Sequence, residues 1–369
     1  MKNINRVVSC LVAIVLCVNL MVPAFALGKE EERQVSNEIV CAIEDVIGSI
    51  AFEKDKYGFL GVDLKKIQIG TMIPSYEVKD NTFVPLGGIE FYPIIDEFNT
   101  IVSMAAITKD QENGCRAYIS SELVSKINEC RKVDENISLI FDALGVYCWD
   151  GSTANMLEQN NIPNGMSGRT ELATVPSAEY EEILTEQVSA ICELSIDTNV
   201  LIPYGYDDEA AYVNAPVKRQ PTGSAWCWAA CMASIVQLER GKSYTCESMA
   251  KLYTTDESEG ASMDTIINRL KGTFNLTYKN CTNGDLVNIL NTLGKGHVAC
   301  GGFVYPGGAH VVIIRGIDFG GSVFSVMDPE ERGSNYTSGQ VLSYGNYGTL
   351  TYVNVRYGIT LTLKEFAYM

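Results

Sequence analysis

Four residues in the second half of the chain have the types and the order that thiol-based acyl transfer needs. Cys227 lies seven residues after Gln220 in the segment QPTGSAWCWAA, where a predicted helix begins at residue 224 or 225 and ends at Arg240, before Gly241. A thiol attacks carbonyl carbons as its thiolate, and the unpaired N–H groups at a helix start stabilise that anion. The sequence therefore predicts that Cys227 is a nucleophile.

An imidazole and a carboxylate follow on two predicted neighbouring strands. Of the two histidines, His310 opens the segment HVVIIRGID, and Asp328 closes the next segment, SVFSVMDP. A turn centred near residues 319–321 would place His310 and Asp328 nearly opposite each other in an antiparallel pair. A carboxylate in that place fixes the tautomer of the imidazole and stabilises its protonated form.

The four positions predict a complete set of catalytic roles. Cys227 would be the nucleophile, and His310 the base that later protonates the leaving amine. Asp328 would orient His310, while the side chain of Gln220 and the backbone N–H of Cys227 would stabilise the oxyanion. The reaction would pass through a thioester acyl-enzyme. No cofactor and no metal is predicted, because Cys227, Cys231 and one histidine offer too few spaced ligands for zinc.

The Gln…Cys-Trp-Ala segment, the histidine that heads one strand and the Asp-Pro that ends the next resemble the papain-like cysteine peptidases. The similarity is strongest to their compact bacterial branch related to double-glycine leader peptidases, and it covers roughly residues 217–363. It implies a papain-like fold in which the helix of Cys227 packs on the sheet of His310 and Asp328. It also implies peptide or protein substrates and the same four roles.

The sequence leaves three other interpretations open. His297, in GKGHV, is the alternative base, although no predicted carboxylate lies across from it. The Cys–His arrangement also serves amide chemistry, such as a cell-wall peptide amidase or transamidase. The third interpretation is a catalytically inactive secreted binding protein on the papain-like fold, in which Cys227 is only a small buried residue.

The first 26 residues have the pattern of a secretory signal peptide. Lys2 and Arg6 precede an apolar run at residues 7–22, and Ala24-Phe25-Ala26 forms a small-x-small cleavage site. The run is about 16 residues, shorter than the roughly 20 needed to span a bilayer. The prediction is a secreted, extracellular protein that does not stay in the membrane after cleavage.

Charge and cysteine content exclude some partners and leave the disulfides open. The formal net charge of −17 and the pI of about 4.6 argue against nucleic acid, since phosphate binding needs a basic face. Of the twelve cysteines, ten remain after the signal peptide, and their spacing gives no disulfide framework. Ser224 stands where papain-type members carry a further cysteine.

The chain is predicted to be an α+β protein of two parts. Residues 27–196 form an N-terminal α+β domain without histidine, 197–219 an exposed connector with Lys218-Arg219, and 220–369 the peptidase domain. The N-terminal domain would be a propeptide that covers and inhibits the cleft until a cut between about 204 and 219. The alternative is a permanent binding or anchoring domain.

Periodicity also gives individual elements. Predicted helices cover 30–52, 120–131, 178–194, 245–253, 262–270 and 282–293; predicted strands cover 67–78, 83–95, 101–109, 274–280, 298–305, 310–317 and 322–327.

Overall fold

The computed structural model describes most of the chain after the predicted signal peptide. The described residues are 35–80, 82–110, 114–132, 136–150, 153–159, 192–196, 210–320, 322–330, 336–344 and 347–369. The signal peptide, nearly all of the predicted helix 178–194 and residues 197–209 of the connector lie outside them. In the described part, no helix is both long enough and apolar enough to cross a membrane.

The described residues of the first half form one long helix, one short helix, a 3₁₀ segment and two five-stranded sheets. Helix α1 begins after Ser36, whose hydroxyl accepts the Ile39 N–H, and its apolar face is buried as its three-and-four spacing predicts. The elements are α1 (Asn37–Ile50), a 3₁₀ segment (Ala51–Tyr57), β1 (Gln68–Ile69), β2 (Ser75–Lys79), β3 (Thr82–Pro85), β4 (Ile89–Ile95), β5 (Ile101–Asp110), β6 (Gly114–Ser120), α2 (Val124–Arg131), β7 (Ser138–Phe141), β8 (Gly145–Trp149), β9 (Ala154–Gln159) and β10 (Cys192–Glu193).

These strands form two sheets with the orders β10-β1-β4-β5-β6 and β3-β2-β7-β8-β9. All pairs are antiparallel except β2–β7, which is parallel. The last residues of the predicted helix 178–194 are in the short strand β10, which pairs with β1.

The second half places four helices before most of its strands. Its elements are β11 (Ala210–Tyr212), α3 (Cys227–Arg240), α4 (Cys246–Ala250), α5 (Met263–Phe274), β12 (Lys279–Cys281), α6 (Val287–Gly294), β13 (Ala299–Tyr305), β14 (Gly308–Asp318), β15 (Val323–Met327), β16 (Thr337–Tyr344), β17 (Tyr347–Asn354) and β18 (Ile359–Tyr368). Gly241 ends α3 with a positive φ of 64°, as predicted for a helix-terminating glycine.

The sheet of this half closes on itself. Its order is β14-β13-β18-β17-β16-β15, and β15 pairs again with β14, so six antiparallel strands form a barrel. The rings of Phe303 and Phe324 stack at 6.1 Å, and Tyr352 meets Phe303 edge-on at 5.2 Å. These three buried aromatic residues join β13, β15 and β17. The chain is thus α+β, as predicted.

Strand β11 extends this sheet along β14 and lies inside the predicted connector. Ala211 pairs with Ile317, and both residues are fully buried. A Cβ at Gly316 would lie 2.1 Å from Cδ1 of Tyr212, so the two strands approach closely only because residue 316 is glycine. Residues 210–213 and 215 of the predicted connector are therefore buried rather than exposed.

The two halves share one continuous apolar core. Across it, the guanidinium of Arg315 forms a bidentate ion pair with Glu53, with Nη2 donating to Oε1 at 2.8 Å; the exposed fractions of the two side chains are 0% and 1%. The N–H of Ile119 also donates to Oγ of Ser338 at 2.7 Å. The sequence predicts a separate N-terminal domain, whereas the described residues of this half pack directly on the barrel.

Candidate active site

Cys227 is the first residue of α3, and its side chain is partly exposed. The preceding residue, Trp226, makes no side-chain hydrogen bond that caps the helix. The N–H groups of the first turn therefore remain available to a negative charge at the sulfur or at a carbonyl oxygen beside it.

Two tryptophans fix the start of this helix to the loop that precedes α5. The indole N–H of Trp226 donates to the carbonyl of Asp256, and that of Trp228 to the carbonyl of Glu259, each at 3.0 Å. The guanidinium of Arg269 lies 4.2 Å from the ring centre of Trp228. Both indoles are buried, so they set the position of Cys227 by packing.

His310 lies near the start of β14 and joins the thiol to a carboxylate. Its Nε2 donates to Oδ1 of Asp328 at 2.7 Å, and its ring lines the same cleft as the thiol of Cys227. Because Nε2 is used by Asp328, Nδ1 is the atom left for the sulfur. Beside the turn the register is one residue from the predicted one, with Asp318 opposite Val323, and a bulge between Ile314 and Gly316 restores it, so that Ile313 lies opposite Met327. The structure thus brings Cys227, His310 and Asp328 together at one cleft.

Asp328 is buried and is held by four donors. Oδ1 accepts His310 and the N–H of Glu330 at 2.9 Å, while Oδ2 accepts the hydroxyl of Tyr352 at 2.8 Å and the amide of Asn354 at 3.1 Å. Burial would raise the pKa of Asp328, but the positive His310 ring and these donors lower it. The carboxylate is therefore ionised and fixed in orientation.

The surroundings favour the protonated form of His310. Burial would lower its pKa, but the negative charges of Asp328 and then Glu330, with the hydrogen bond to Asp328, raise the pKa well above its ordinary value. A protonated imidazole beside a thiol favours the thiolate–imidazolium pair that cysteine nucleophiles use.

Gln220 lies in the same site and is buried. Its Nε2 donates to the carbonyl of Ser224 at 3.0 Å and to Oε1 of Glu330 at 2.9 Å, and its backbone N–H donates to the carbonyl of Pro329 at 3.0 Å. The predicted oxyanion donor is thus beside the nucleophile, and both of its amide hydrogens have acceptors.

A cleft of about 420 Å³ opens over these residues. Gln220, Cys227, His310 and Glu330 lie on its wall, and apolar side chains such as Met263 and Leu361 line the rest. Among the described residues, every one that lines the cleft lies at or after position 220. A polypeptide segment has room to reach the sulfur here.

The other predicted candidates lie elsewhere. Nδ1 of His297 is 2.9 Å from the carboxylate of Glu239, so a carboxylate does lie beside this ring, contrary to the sequence-based expectation. The pair is absent from the cleft lining described above. Cys231 is fully buried, and its thiol donates to the carbonyl of Val311 at 3.3 Å. None of the ten described cysteines is in a disulfide.

Sequence reasoning missed three residues that hold the site together: Glu330, Tyr352 and Asn354. Asn354, between Val353 and Val355, is a weak sign in the sequence, since buried polar groups need partners, whereas Glu330 stands in the polar segment DPEER and gives none. Ligand atoms of His310, Asp328 and Glu330 lie within 4.8 Å of one another, which is close enough for a metal ion. Hydrogen bonds within the site already use Nε2 of His310 and Oδ1 of Asp328. The arrangement is therefore that of a carboxylate that orients an imidazole, and not that of a metal site.

Comparison with known proteins identifies the chemistry of the second half. Residues 210–344 match the family model described as papain-like cysteine protease AvrRpt2. None of the curated proteins compared with the chain matches it. The family match assigns cysteine-type peptidase activity, which makes the chain a hydrolase acting on peptides or proteins. The matched range contains Gln220, Cys227, His310 and Asp328, and it ends before Tyr352 and Asn354.

Proposed function

We propose that this peptidase is a secreted enzyme that cleaves peptide bonds through a Cys227–His310–Asp328 triad on a papain-like fold. The observation that carries the proposal is that the thiol at the start of α3 shares one cleft with His310, whose ring is hydrogen-bonded to a buried carboxylate that has four donors. The narrower kinship with double-glycine leader peptidases stays a prediction from the sequence.

The proposed reaction has two acyl-transfer steps. The Cys227 thiolate attacks the scissile carbonyl carbon, and the imidazolium of His310 gives its proton to the amine as the C–N bond breaks. The acyl group remains on the sulfur as a thioester. Neutral His310 then takes a proton from water as the water oxygen attacks the thioester carbon. The C–S bond breaks, the acyl group leaves as a carboxylic acid, and the freed thiolate and the imidazolium of His310 are again the ion pair. Asp328 keeps the ring aligned throughout.

The oxyanion of each tetrahedral intermediate would lie near the start of α3. The backbone N–H of Cys227 and one amide N–H of Gln220 are its proposed donors. In the structure that amide donates to Ser224 and Glu330, so one of these bonds must be exchanged for the oxyanion when substrate binds.

A peptide-library assay tests the reaction class. We expect the reduced protein to hydrolyse denatured proteins, with products that mass spectrometry identifies as free carboxylates. Adding a primary amine as competitor separates the alternatives. Amine-capped products in place of carboxylates would favour the transamidase, and cleavage confined to cell-wall peptides would favour the amidase. A protein that binds such peptides without turning them over would be the inactive binding protein.

Secretion is proposed from the sequence of residues 1–26. Expressed in an exporting bacterium, the protein should appear in the medium with Leu27 at its N-terminus. Cell-associated protein that still begins at Met1 would contradict the proposal.

The N-terminal half has two proposed roles, propeptide or permanent part. The shared core and the buried pair of Glu53 and Arg315 favour the permanent role, since separation would expose apolar surface and an unpaired charge. We expect that cutting an engineered protease site within residues 197–209 leaves the two halves co-eluting in gel filtration, with unchanged peptidase activity. Release of the first half with a rise in activity would instead establish the zymogen.

A further inference from the structure

Glu330 is a buried carboxylate in the cleft that the proposed triad leaves unexplained. It follows Asp328-Pro329 at the end of β15, and only 6% of its surface is exposed. If the β14–β15 register, with Ile313 opposite Met327, were continued to the start of β14, Glu330 would lie opposite His310. A charged side chain so buried needs partners, and its partners are catalytic groups.

The backbone of Glu330 is fixed on both sides. Its N–H donates to Oδ1 of Asp328 at 2.9 Å, and its carbonyl accepts Nη1 of Arg356 at 3.1 Å. The neighbouring carbonyl of Pro329 accepts the N–H of Gln220. The carboxylate therefore has little freedom to move relative to Asp328 and Gln220.

The carboxylate itself holds the amide of Gln220. Oε1 of Glu330 accepts Nε2 of Gln220 at 2.9 Å, and the second hydrogen of the same amide goes to the carbonyl of Ser224 at 3.0 Å. A hydrogen bond to a charged acceptor is stronger than one to a neutral carbonyl. When an oxyanion forms, the bond to Ser224 is thus the one to be exchanged, and Glu330 keeps the amide in place.

The charge of Glu330 also acts on His310. The charged and titratable groups around the ring are Cys227 from α3, Asp328 and Glu330 after β15, and Tyr305 from β13, with Lys364 and Glu365 of β18 on the same cleft. After burial and the charge of Asp328, the charge of Glu330 is the next largest influence on the pKa of His310, and it raises that pKa.

We propose that Glu330 is a positioning residue of the peptidase site, which anchors the amide of Gln220 for the oxyanion and stabilises the imidazolium of His310 by its negative charge. This inference rests on the proposed function. The two roles depend on different properties of one side chain, the position of its oxygen and its charge, so two conservative variants separate them.

Glu330→Gln keeps an acceptor oxygen at the same reach and removes the charge. We expect the alkaline limb of the kcat/KM profile to move to lower pH by about one unit, since His310 loses its proton more easily without a nearby anion. The value of kcat at the optimum should fall only in part, because the acceptor oxygen for Gln220 remains but is no longer charged.

Glu330→Asp keeps the charge and withdraws the oxygen by about one carbon–carbon bond, ~1.5 Å. We expect kcat to fall about tenfold to a hundredfold with KM unchanged, because an oxyanion donor acts only in the transition state. The alkaline limb should stay in place. In a Gln220→Ala background, Glu330→Asp should cause no further loss.

An NMR titration provides a readout that does not depend on peptide cleavage. The chain has only two histidines, so the ring signals of His310 and His297 can be followed separately. Glu330→Gln should lower the titration midpoint of His310. Glu239→Gln, whose carboxylate lies beside His297 and not beside His310, should leave the His310 midpoint unchanged.

An unchanged His310 midpoint in Glu330→Gln would overturn the electrostatic role. An undiminished kcat in Glu330→Asp, or an equal loss in the Gln220→Ala background, would overturn the anchoring role. If the wild type cleaves no peptide while Glu330→Gln still lowers the titration midpoint of His310, the proposed function is refuted. That outcome would leave the electrostatic role of Glu330 standing.

Discussion

Replacing Cys227 by alanine should abolish peptide cleavage, with a loss in kcat/KM of at least about 10⁴-fold. The thioester cannot form without this sulfur, and no other described thiol lines the cleft. The measurement is the initial rate of a fluorogenic peptide under reducing conditions, with circular dichroism to show that the variant is folded.

The matched control is Cys41→Ser, which removes an exposed thiol on α1 and should leave the rate unchanged. Alkylation by iodoacetamide at about pH 6, where ordinary thiols are protonated, should modify Cys227 well before the other thiols. Full activity in Cys227→Ala, or preferential modification of a different cysteine, would contradict the proposed nucleophile.

Replacing Glu53 by alanine should lower the free energy of unfolding by roughly 3–5 kcal/mol, since it leaves a buried guanidinium without its counter-ion. Burial would lower the pKa of Arg315, but the facing Glu53 raises it, so the arginine stays charged. The variant should unfold at a lower urea concentration than the wild type in equilibrium denaturation.

Two comparisons make this result specific to the buried pair. Glu97→Ala, which breaks an exposed pair with Lys66, should leave the urea midpoint unchanged. Replacing both Glu53 and Arg315 by methionine should lower the free energy of unfolding less than Glu53→Ala alone, because no buried charge is then left without a counter-ion. A Glu53→Ala variant as stable as the wild type would mean that the two halves do not meet through this pair.

Local patterns predicted much of the second half. The apolar spacing and the terminal glycine predict α3 and its end at Arg240, and the glycines near 320 predict the β14–β15 register to within one residue. Both depend on residues close in sequence, whose conformations follow from backbone sterics and side-chain periodicity. The approach of His310 to Asp328 was predictable for this reason.

The supports of the site were not predictable in this way. Tyr352 and Asn354 belong to β17, which pairs with β16 and β18 and not with β15, yet both side chains reach Asp328 at the end of β15. The contact of His297 with Glu239 likewise joins residues 58 positions apart. A single sequence carries no direct sign of such pairings.

The relation between the two halves was missed for a similar reason. The segment before Gln220 has turn-forming residues and no clear hydrophobic periodicity, which is typical of an exposed connector. Its strand β11 has only three residues, too few to show alternation. What decides its place is the apolar groove beside β14 that receives Tyr212 over Gly316.

Strand β14 carries His310 near its start and Arg315 five positions later, and side chains an odd number apart project from opposite faces of a strand. The face with His310 therefore lies at the active site, and the face with Arg315 contacts Glu53. This makes the enzyme suited to fragment complementation. Two separately expressed pieces, divided between residues 197 and 209, would each be incomplete, and their reunion could be followed directly as the recovery of catalytic turnover.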